Sequence, residues 1–185
     1  SLRRTVELLD ERFGYIHSAI YLTDETGVVA NLREASGLRA KEFSSKGLRI
    51  TAGANSIIGW VLEHKQAKVT GNITHEELRQ SAELLVECRS QASLPIMIAN
   101  QILGVLDIQH NLPDAFPPDV MAVLQTIANH IAAVIENYHL LETTQSALNE
   151  VSALYQASYQ MARANTPDEV VRITSAALKQ TNYLA

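Results

Sequence analysis

The stretch Ala-Ser-Leu-Pro-Ile-Met-Ile-Ala-Asn-Gln-Ile-Leu-Gly-Val-Leu-Asp-Ile, residues 92–108, contains the clearest pair of strands in this sequence. Two runs rich in apolar and β-branched residues, 93–99 and 102–109, are separated by Asn100-Gln101. Such runs around a short polar pair are typical of a β-hairpin with a tight turn. The sequence therefore predicts that these two strands pair in an antiparallel sheet.

Further strands are predicted upstream of this hairpin. Residues 15–23 are rich in aromatic and β-branched types, and Thr26-Gly27 separates them from the apolar run 28–32, which predicts a second hairpin. Short strands are predicted at 48–51 and 67–70. Hairpins at both ends of the strand set favour an α+β fold in which helices cover an antiparallel sheet.

Helical periodicity marks the segments between and around the strands. Residues 2–13 place apolar side chains three or four positions apart, and Gly14 is typical of a helix stop. Ser56 is a good cap for a second helix, and residues 76–88 are predicted to form an amphipathic helix. The polar segment after Ser36-Gly37 predicts a loop with local helix.

A single helix longer than about 40 residues is predicted to begin at Pro117-Pro118, since proline in the first turn loses only an unpartnered amide. Its apolar residues alternate in steps of four and three, as in a coiled-coil seam. Few of its side chains are charged, so part of it should cover the sheet. The rest would be buried by a parallel helix of a second copy, through the predicted dimer stalk residues Leu141, Leu148, Val151 and Tyr155.

Composition excludes several classes of partner. The chain has 185 residues, a formal net charge of −5 and a single cysteine. An acidic chain offers no cationic surface for a phosphate backbone, so neither nucleic acid nor direct membrane contact is expected. One cysteine forms no intrachain disulfide, and the sequence has neither paired Cys or His of zinc-site spacing nor a signal peptide. We expect a soluble, cytoplasmic protein without a metal site.

Three stretches carry a resemblance to a known family: residues 19–27 as first strand and turn, 56–61 as the opening of a helix, and 92–108 as the closing hairpin. In this order they resemble the GAF family. The resemblance implies a six-stranded antiparallel sheet with helices on its back, a small-molecule pocket on its other face and a long C-terminal signalling helix. It also implies a non-catalytic regulatory sensor, usually dimeric, placed upstream of an output module such as a histidine kinase.

The resemblance also suggests a domain organisation. Residues 1–141 are predicted as the sensor domain and 142–165 as a helical linker that forms a coiled-coil stalk. Pro167 suits the first turn of a new helix, so 166–185 are predicted as the truncated first helix of a following domain, a second GAF domain being one candidate.

The predicted ligand pocket lies between the sheet and the segments 43–64 and 72–88. Aromatic side chains that combine an apolar body with a polar tip, Trp60 and Tyr21, are its best lining candidates. The ligand itself is unknown. The full set of candidate pocket residues is Tyr21, Phe43, Ile57, Trp60, His64, His75 and Cys88.

Known cofactors of the family are not supported by these residues. A covalent bilin requires an attachment cysteine, commonly in a Cys-His pair, and Cys88 is followed by Arg89. The Asn-Lys, Phe and Asp-Glu signature of cyclic-nucleotide binding is not found in order. Haem requires a histidine ligand, but a lone histidine such as His64 or His75 is more often a surface or core residue.

Two alternatives to a ligand-binding sensor remain open. The first is a structural dimerisation module that keeps the fold without a ligand. The second is a redox enzyme of the methionine-sulfoxide-reducing type, which uses a nucleophilic and a resolving cysteine. Because Cys88 stands alone, we expect no catalytic residues and no enzymatic activity.

Overall fold

The computed structural model describes residues 1–164 and 166–180. Asn165, and residues 181–185 of the predicted C-terminal segment, lie outside the described residues. The elements in chain order are α1 (Leu2–Phe13), β1 (His17–Thr23), β2 (Val29–Gly37), α2 (Ala40–Lys46), β3 (Arg49–Thr51), α3 (Ile57–His64), β4 (Lys68–Thr70), α4 (His75–Gln80), β5 (Ser90–Ile98), β6 (Gln101–His110), α5 (Pro118–Arg163) and α6 (Pro167–Gln180).

The strands form one six-stranded sheet in the order β3-β2-β1-β6-β5-β4. Every neighbouring pair is antiparallel, which confirms the predicted α+β fold. The closing hairpin turns at Ala99 and Asn100, one residue earlier than predicted, because Ile98 pairs with Gln101. Ala99 takes the left-handed conformation that such a tight turn requires, with φ of 50°.

One face of the sheet, which we call the helix-covered face, packs against α1 and the first part of α5. Alternate residues of the strands supply its side chains, as the two-residue period of a strand dictates. Gly104 lets β6 approach β1 closely, because a Cβ there would collide with the carbonyl oxygen of Tyr21. The buried apolar residues of this face are Ile20, Ala92, Leu94, Ile96, Leu106 and Ile108, with Val6, Leu9, Leu124, Ala128, Ile131, Ala132 and Ile135 from the helices.

Helix α1 behaves as its periodicity predicts. Val6 and Leu9 are buried, and Gly14 ends the helix with φ of 72°. The carboxylate of Asp10 accepts hydrogen bonds from the hydroxyls of Ser18 and Ser36. These bonds tie α1 to β1 and β2 at the edge of the apolar core.

The helix predicted over residues 76–88 is wrong in its length. Helix α4 begins with a capping box between Thr74 and Glu77 and ends at Gln80, and an irregular segment, residues 81–89, follows it. The side chain of Gln109 explains the change: its Nε2 donates to the carbonyl of Glu83 at 2.7 Å and its Oε1 accepts from the amide of Leu85 at 2.9 Å. A side chain of the sheet thus satisfies backbone groups that a helix would have paired internally.

Helix α5 has 46 residues and begins at Pro118, as predicted. By length and composition it could also cross a membrane, a test that core helices of soluble proteins pass as well. The chain divides into two compact units, the first Ser1–Ile135 and the second beginning at Glu136. In the second unit the predicted stalk residues Leu141, Leu148, Val151 and Tyr155 are 70%, 59%, 64% and 74% exposed. Helix α6 begins at Pro167 as predicted, and Thr174 Oγ1 lies 4.0 Å from Met161 Sδ of α5.

Candidate functional site

Two neighbouring cavities open on the other face of the sheet, which we call the cleft face. The first has a volume of about 260 Å³ and the second about 330 Å³. They share Ala54, Asn55 and Ser56, and we refer to both together as the loop cleft. The first is lined in addition by Ile57, Trp60, Lys68, Thr70, Ile73, Glu77, Ser81, Leu84 and Gln91, and the second by Leu48, Arg49, Ile50, Thr51, Ala82 and Glu83.

The shared wall of the loop cleft is held by α3. Ser56 caps the helix, and its hydroxyl accepts a hydrogen bond of 2.9 Å from the amide of Gly59. Gly59 has no side chain to keep the loop away, and a Cβ there would lie 2.8 Å from the carbonyl oxygen of Ala54. The loop is therefore packed directly on the first turn of α3.

An aromatic and cationic group borders the first cavity. The ring of Trp60 stacks on His64 with 4.2 Å between centroids and an angle of 10° between planes. Lys68 Nζ lies 4.5 Å from the centroid of the Trp60 ring. His64 and Lys68 thus pack over the Trp60 ring, and this arrangement places an aromatic side chain and a positive charge together at the border of the cavity.

A buried acidic network lies on the sheet behind the loop cleft. Asp107 of β6 is fully buried, and one of its oxygens accepts hydrogen bonds from Ser93 Oγ and, at 2.8 Å, from Gln91 Nε2. Its other oxygen accepts from Gln109 Nε2 at 3.3 Å. Burial raises the pKa of Asp107 to about 6, and these three hydrogen bonds limit the rise.

Glu83 brings a second carboxyl group into the same region. Its side chain is only 5% exposed, and it lines the second cavity. One of its oxygens, Oε1, has no hydrogen-bond partner. Burial is the main cause that raises the pKa of Glu83 to about 7, and the negative charge of Asp107 adds to the rise. The loop cleft therefore contains an unsatisfied acidic group that is half protonated near neutral pH.

The structure brings some of the predicted pocket residues to the loop cleft. Ile57 and Trp60 line the first cavity, and His64 stacks on Trp60 beside it. His75 is exposed at the first position of α4. Tyr21 is buried behind the cavities, and burial together with the charges of Asp107 and Glu83 raises its pKa well above the ordinary value.

Phe43 and Cys88, the remaining predicted residues, are core side chains in one apolar cluster. The Phe43 ring packs edge-on against His17 at 5.2 Å, and burial lowers the pKa of His17 to about 4, so this imidazole is neutral at neutral pH. Cys88 Sγ donates to the carbonyl of Ser90 at 3.3 Å. Burial raises the pKa of the Cys88 thiol to about 12, and a thiol in this state is a poor nucleophile.

The acidic network was not predicted from the sequence. The signal for its strand residues was the alternation of Asp107 and Gln109 with apolar neighbours in a strand that is otherwise buried. Glu83 gave no signal, because it lies in a segment that was predicted as helix. Within residues 1–164 and 166–180, no three His, Cys, Asp or Glu side chains are placed to hold a metal ion.

Comparisons with known proteins agree with this geometry. The sequence pattern described as the GAF domain matches residues 2–136. No curated protein sequence matches the chain significantly. The GAF domain of a phosphoenolpyruvate-protein phosphotransferase from Acinetobacter superposes with a TM-score of 0.63 at 20% identity, over 77% of this chain and 84% of that one.

Two further solved structures show the range of proteins with this fold. The free methionine-R-sulfoxide reductase of Neisseria meningitidis, solved with its substrate, has a TM-score of 0.58 and 21% identity, over 73% of this chain and 75% of the other. A GAF domain from A. aeolicus in an inactive state has a TM-score of 0.60 and 19% identity, over 74% and 83%. Identities this low establish the fold alone.

Proposed function

The chain belongs to the GAF domain family, and on this premise we propose that it is the non-catalytic sensor domain of a cytoplasmic signalling protein. It binds a small molecule in the loop cleft and passes the signal through α5 to an output module such as a histidine kinase. The observation that carries the proposal is the loop cleft itself, with two cavities of about 260 and 330 Å³ that meet at Ala54, Asn55 and Ser56. The lining combines apolar side chains with polar groups that can fix the orientation of a ligand.

The state of Cys88 supports binding without catalysis. The methionine-sulfoxide-reducing alternative needs a thiolate that attacks the substrate and a second thiol that resolves the product. Cys88 is the single cysteine of the chain, and burial raises its pKa to about 12. Its side chain also belongs to an apolar cluster rather than to the lining of either cavity.

A thermal-shift screen of metabolites tests ligand binding. Trp60 is the sole tryptophan and lines the first cavity, so quenching of its fluorescence reports occupancy of the cleft directly. We expect a hit that raises the melting temperature and changes Trp60 emission together. The blocked variant Asn55→Phe, which fills the wall common to both cavities, should abolish both signals while the protein stays folded.

The competing proposal is a ligand-free dimerisation module. It predicts that no metabolite changes the melting temperature or the Trp60 emission, in the wild type or in Asn55→Phe. A ligand that stabilises the blocked variant as strongly as the wild type would place its site outside the loop cleft.

Transmission through a parallel homodimer is the second part of the proposal. Leu141, Leu148, Val151 and Tyr155 are all more than half exposed and follow one seam of α5. A long apolar seam in water favours a partner helix, and two-fold pairing of the same seam is the most economical source. Occupancy of the cleft would then bias two packings of the joined helices.

Light scattering tests the stalk with a matched pair of double variants. Leu148→Glu with Val151→Glu places charges on the seam and should convert a dimer to a monomer. The control pair, Asn149→Glu with Ser152→Glu, adds the same charge one position further along the helix, where the side chains lie off the seam. This control should leave the dimer intact. A seam variant that remains dimeric would show that the interface lies elsewhere.

A further inference from the structure

Glu83 is the least satisfied polar side chain of the loop cleft. It is 5% exposed and lines the second cavity, and its Oε1 atom has no hydrogen-bond partner. A buried acceptor without a donor is destabilising, and more so when it is charged. Oε1 is buried in the free protein, and because Glu83 lines the cavity, a donor that arrives with a ligand can reach this atom once the side chain turns toward the cavity.

The charge around Glu83 shows what kind of donor is missing. Asp107 is buried close enough to raise the pKa of Glu83 by its charge, and its own hydrogen-bond donors, Ser93, Gln91 and Gln109, are all neutral. Arg49 of the edge strand β3 lines the same cavity, but among the described residues no ion pair joins it to either carboxyl. Two acidic groups thus share a buried region without a counter-ion.

We propose that the loop cleft recognises a ligand that carries a primary ammonium group, and that this group donates to Oε1 of Glu83 beside Asp107. This assignment rests on the proposed sensor function and names the chemical class of its ligand. A neutral donor would complete the hydrogen bond but leave the negative charge of the acidic region uncompensated. An ammonium group supplies both the hydrogen bond and a positive charge.

The number of free acceptor atoms separates an ammonium group from other cations. A metal ion needs several open oxygen ligands, but both oxygens of Asp107 already accept hydrogen bonds, and no three candidate ligands come together in the described residues. A guanidinium group favours two open oxygens in one plane, but the carboxyl of Glu83 also interacts with the side chain of Ser56, which leaves Oε1 as the atom without a partner. A compact ammonium group fits a single open oxygen.

Amide chemical-shift titration with n-propylammonium chloride tests the assignment, with 1-propanol as the neutral probe of the same shape and sodium chloride holding ionic strength constant. We expect n-propylammonium to shift the amides of residues 54–56 and 81–85 saturably and to bind about tenfold more tightly than 1-propanol. Glu83→Gln, of the same size and without charge, should reduce the affinity for n-propylammonium about tenfold or more. Glu87→Gln, an equal change at an exposed position of the same segment, should not.

Proton release supplies an independent readout. With the pKa of Glu83 near 7, binding of n-propylammonium at pH 7 should release about half a proton, and at pH 9 almost none, by calorimetry in two buffers. Glu83→Gln should lose most of this release. Other titratable groups surround this region: Asp107, Tyr21 and Cys88 behind the cavities, and Arg49, Lys68 and Glu77 in their walls. A proton release that persists in Glu83→Gln would come from one of these groups and would overturn the proposal.

Failure of this assignment differs from failure of the sensor function. Equal binding of n-propylammonium and 1-propanol, equal binding by wild type and Glu83→Gln, or no saturable binding of n-propylammonium would each overturn the ammonium site. In all three cases the sensor function would still be supported by a different metabolite that quenches Trp60 fluorescence. That quenching should disappear in Asn55→Phe and persist in Glu83→Gln. If no such metabolite is found, both the ammonium site and the sensor function are rejected.

Discussion

On β6, Leu106 and Ile108 belong to the apolar core under α1 and α5, whereas Asp107 and Gln109, which alternate with them, belong to the polar network behind the loop cleft. The two faces of one strand therefore meet opposite environments. On the helix-covered face the buried side chains of the sheet are mainly apolar and pack against helices, and the buried polar ones, Ser18 and Ser90, are hydrogen-bonded. On the cleft face two carboxyl groups are buried without a positive partner, and cavities remain open.

The helix-covered face therefore stabilises the fold, whereas the cleft face is where we propose that the ligand binds. A helix-covered face that is filled by Leu and Ile stabilises the sheet through apolar burial. A cleft face with two buried acidic groups, one of them with an unpaired oxygen, loses stability that a ligand can restore, which is a common property of binding sites. Substitutions on the two faces should therefore differ in size, and even in sign.

The largest effect is expected from Leu106→Ala on the helix-covered face. Leu106 is fully buried, and its truncation removes apolar contacts and leaves a cavity against α1 and α5, which should lower the free energy of unfolding by about 3 kcal/mol. Urea denaturation followed by circular dichroism measures this loss. Leu112→Ala, at an exposed position after the same strand, should change it by less than about 0.5 kcal/mol. A loss at Leu106 no larger than at Leu112 would contradict the assignment of this face.

The effect of opposite sign is expected from Glu83→Gln on the cleft face. The folded-state pKa of Glu83, about 7, lies above its ordinary value of 4.5. Between these two values the folded protein holds a proton that the unfolded chain has lost, so the free energy of unfolding falls as pH rises through this window. Glutamine does not ionise and avoids this loss.

Glu83→Gln should therefore be more stable than the wild type by roughly 2–3 kcal/mol at pH 8, and the difference should shrink toward pH 4.5. Denaturation curves at four or five pH values measure it, with Glu87→Gln as the exposed control. A difference between Glu83→Gln and wild type that does not change with pH would mean that the carboxyl ionises as freely in the folded state as in the unfolded chain.

A smaller effect is expected from Cys88→Ala. Cys88 is buried in an apolar cluster with Phe43 and Leu85, so loss of its sulfur should lower the free energy of unfolding by about 1–2 kcal/mol through packing alone. Because burial raises the pKa of the thiol to about 12, a thiol reagent such as dithionitrobenzoate should label it only after unfolding. Rapid labelling of the native protein would indicate a reactive, redox-sensing thiol instead.

The smallest expected effect is on visible absorption. His64 stacks on Trp60 beside the first cavity and His75 is exposed at α4, and we predict that neither binds haem. The purified protein should be colourless, and His64→Ala and His75→Ala should leave its absorption spectrum unchanged. A Soret band that disappears in either variant would make the cleft a haem site.

The sequence predicted the elements that depend on short-range periodicity. The closing hairpin, the amphipathic helix α1 with its stop at Gly14, and the start of α5 at Pro118 all follow from residues that are close together in the chain. The family resemblance then supplied the six-stranded sheet and the face on which a pocket should lie. Among the pocket residues, Ile57 and Trp60 were predicted because they open a capped helix at that face.

The end of α4 and the position of Glu83 could not be predicted from the sequence, because both depend on contacts between residues that are distant in the chain. Gln109 holds the backbone of Glu83 and Leu85 across more than twenty positions, and this contact ends the helix that local propensity favoured beyond Gln80. The same contact places Glu83 beside Asp107, where burial changes the pKa of both. The periodicity of a sequence indicates which face of a helix or strand is apolar. The loss of water around a carboxyl group, which shifts its pKa, depends instead on which elements pack around that group. The elements could therefore be predicted from local patterns and the six-stranded sheet from the family resemblance, whereas the acidic network of the loop cleft depends on contacts that form only in the folded chain.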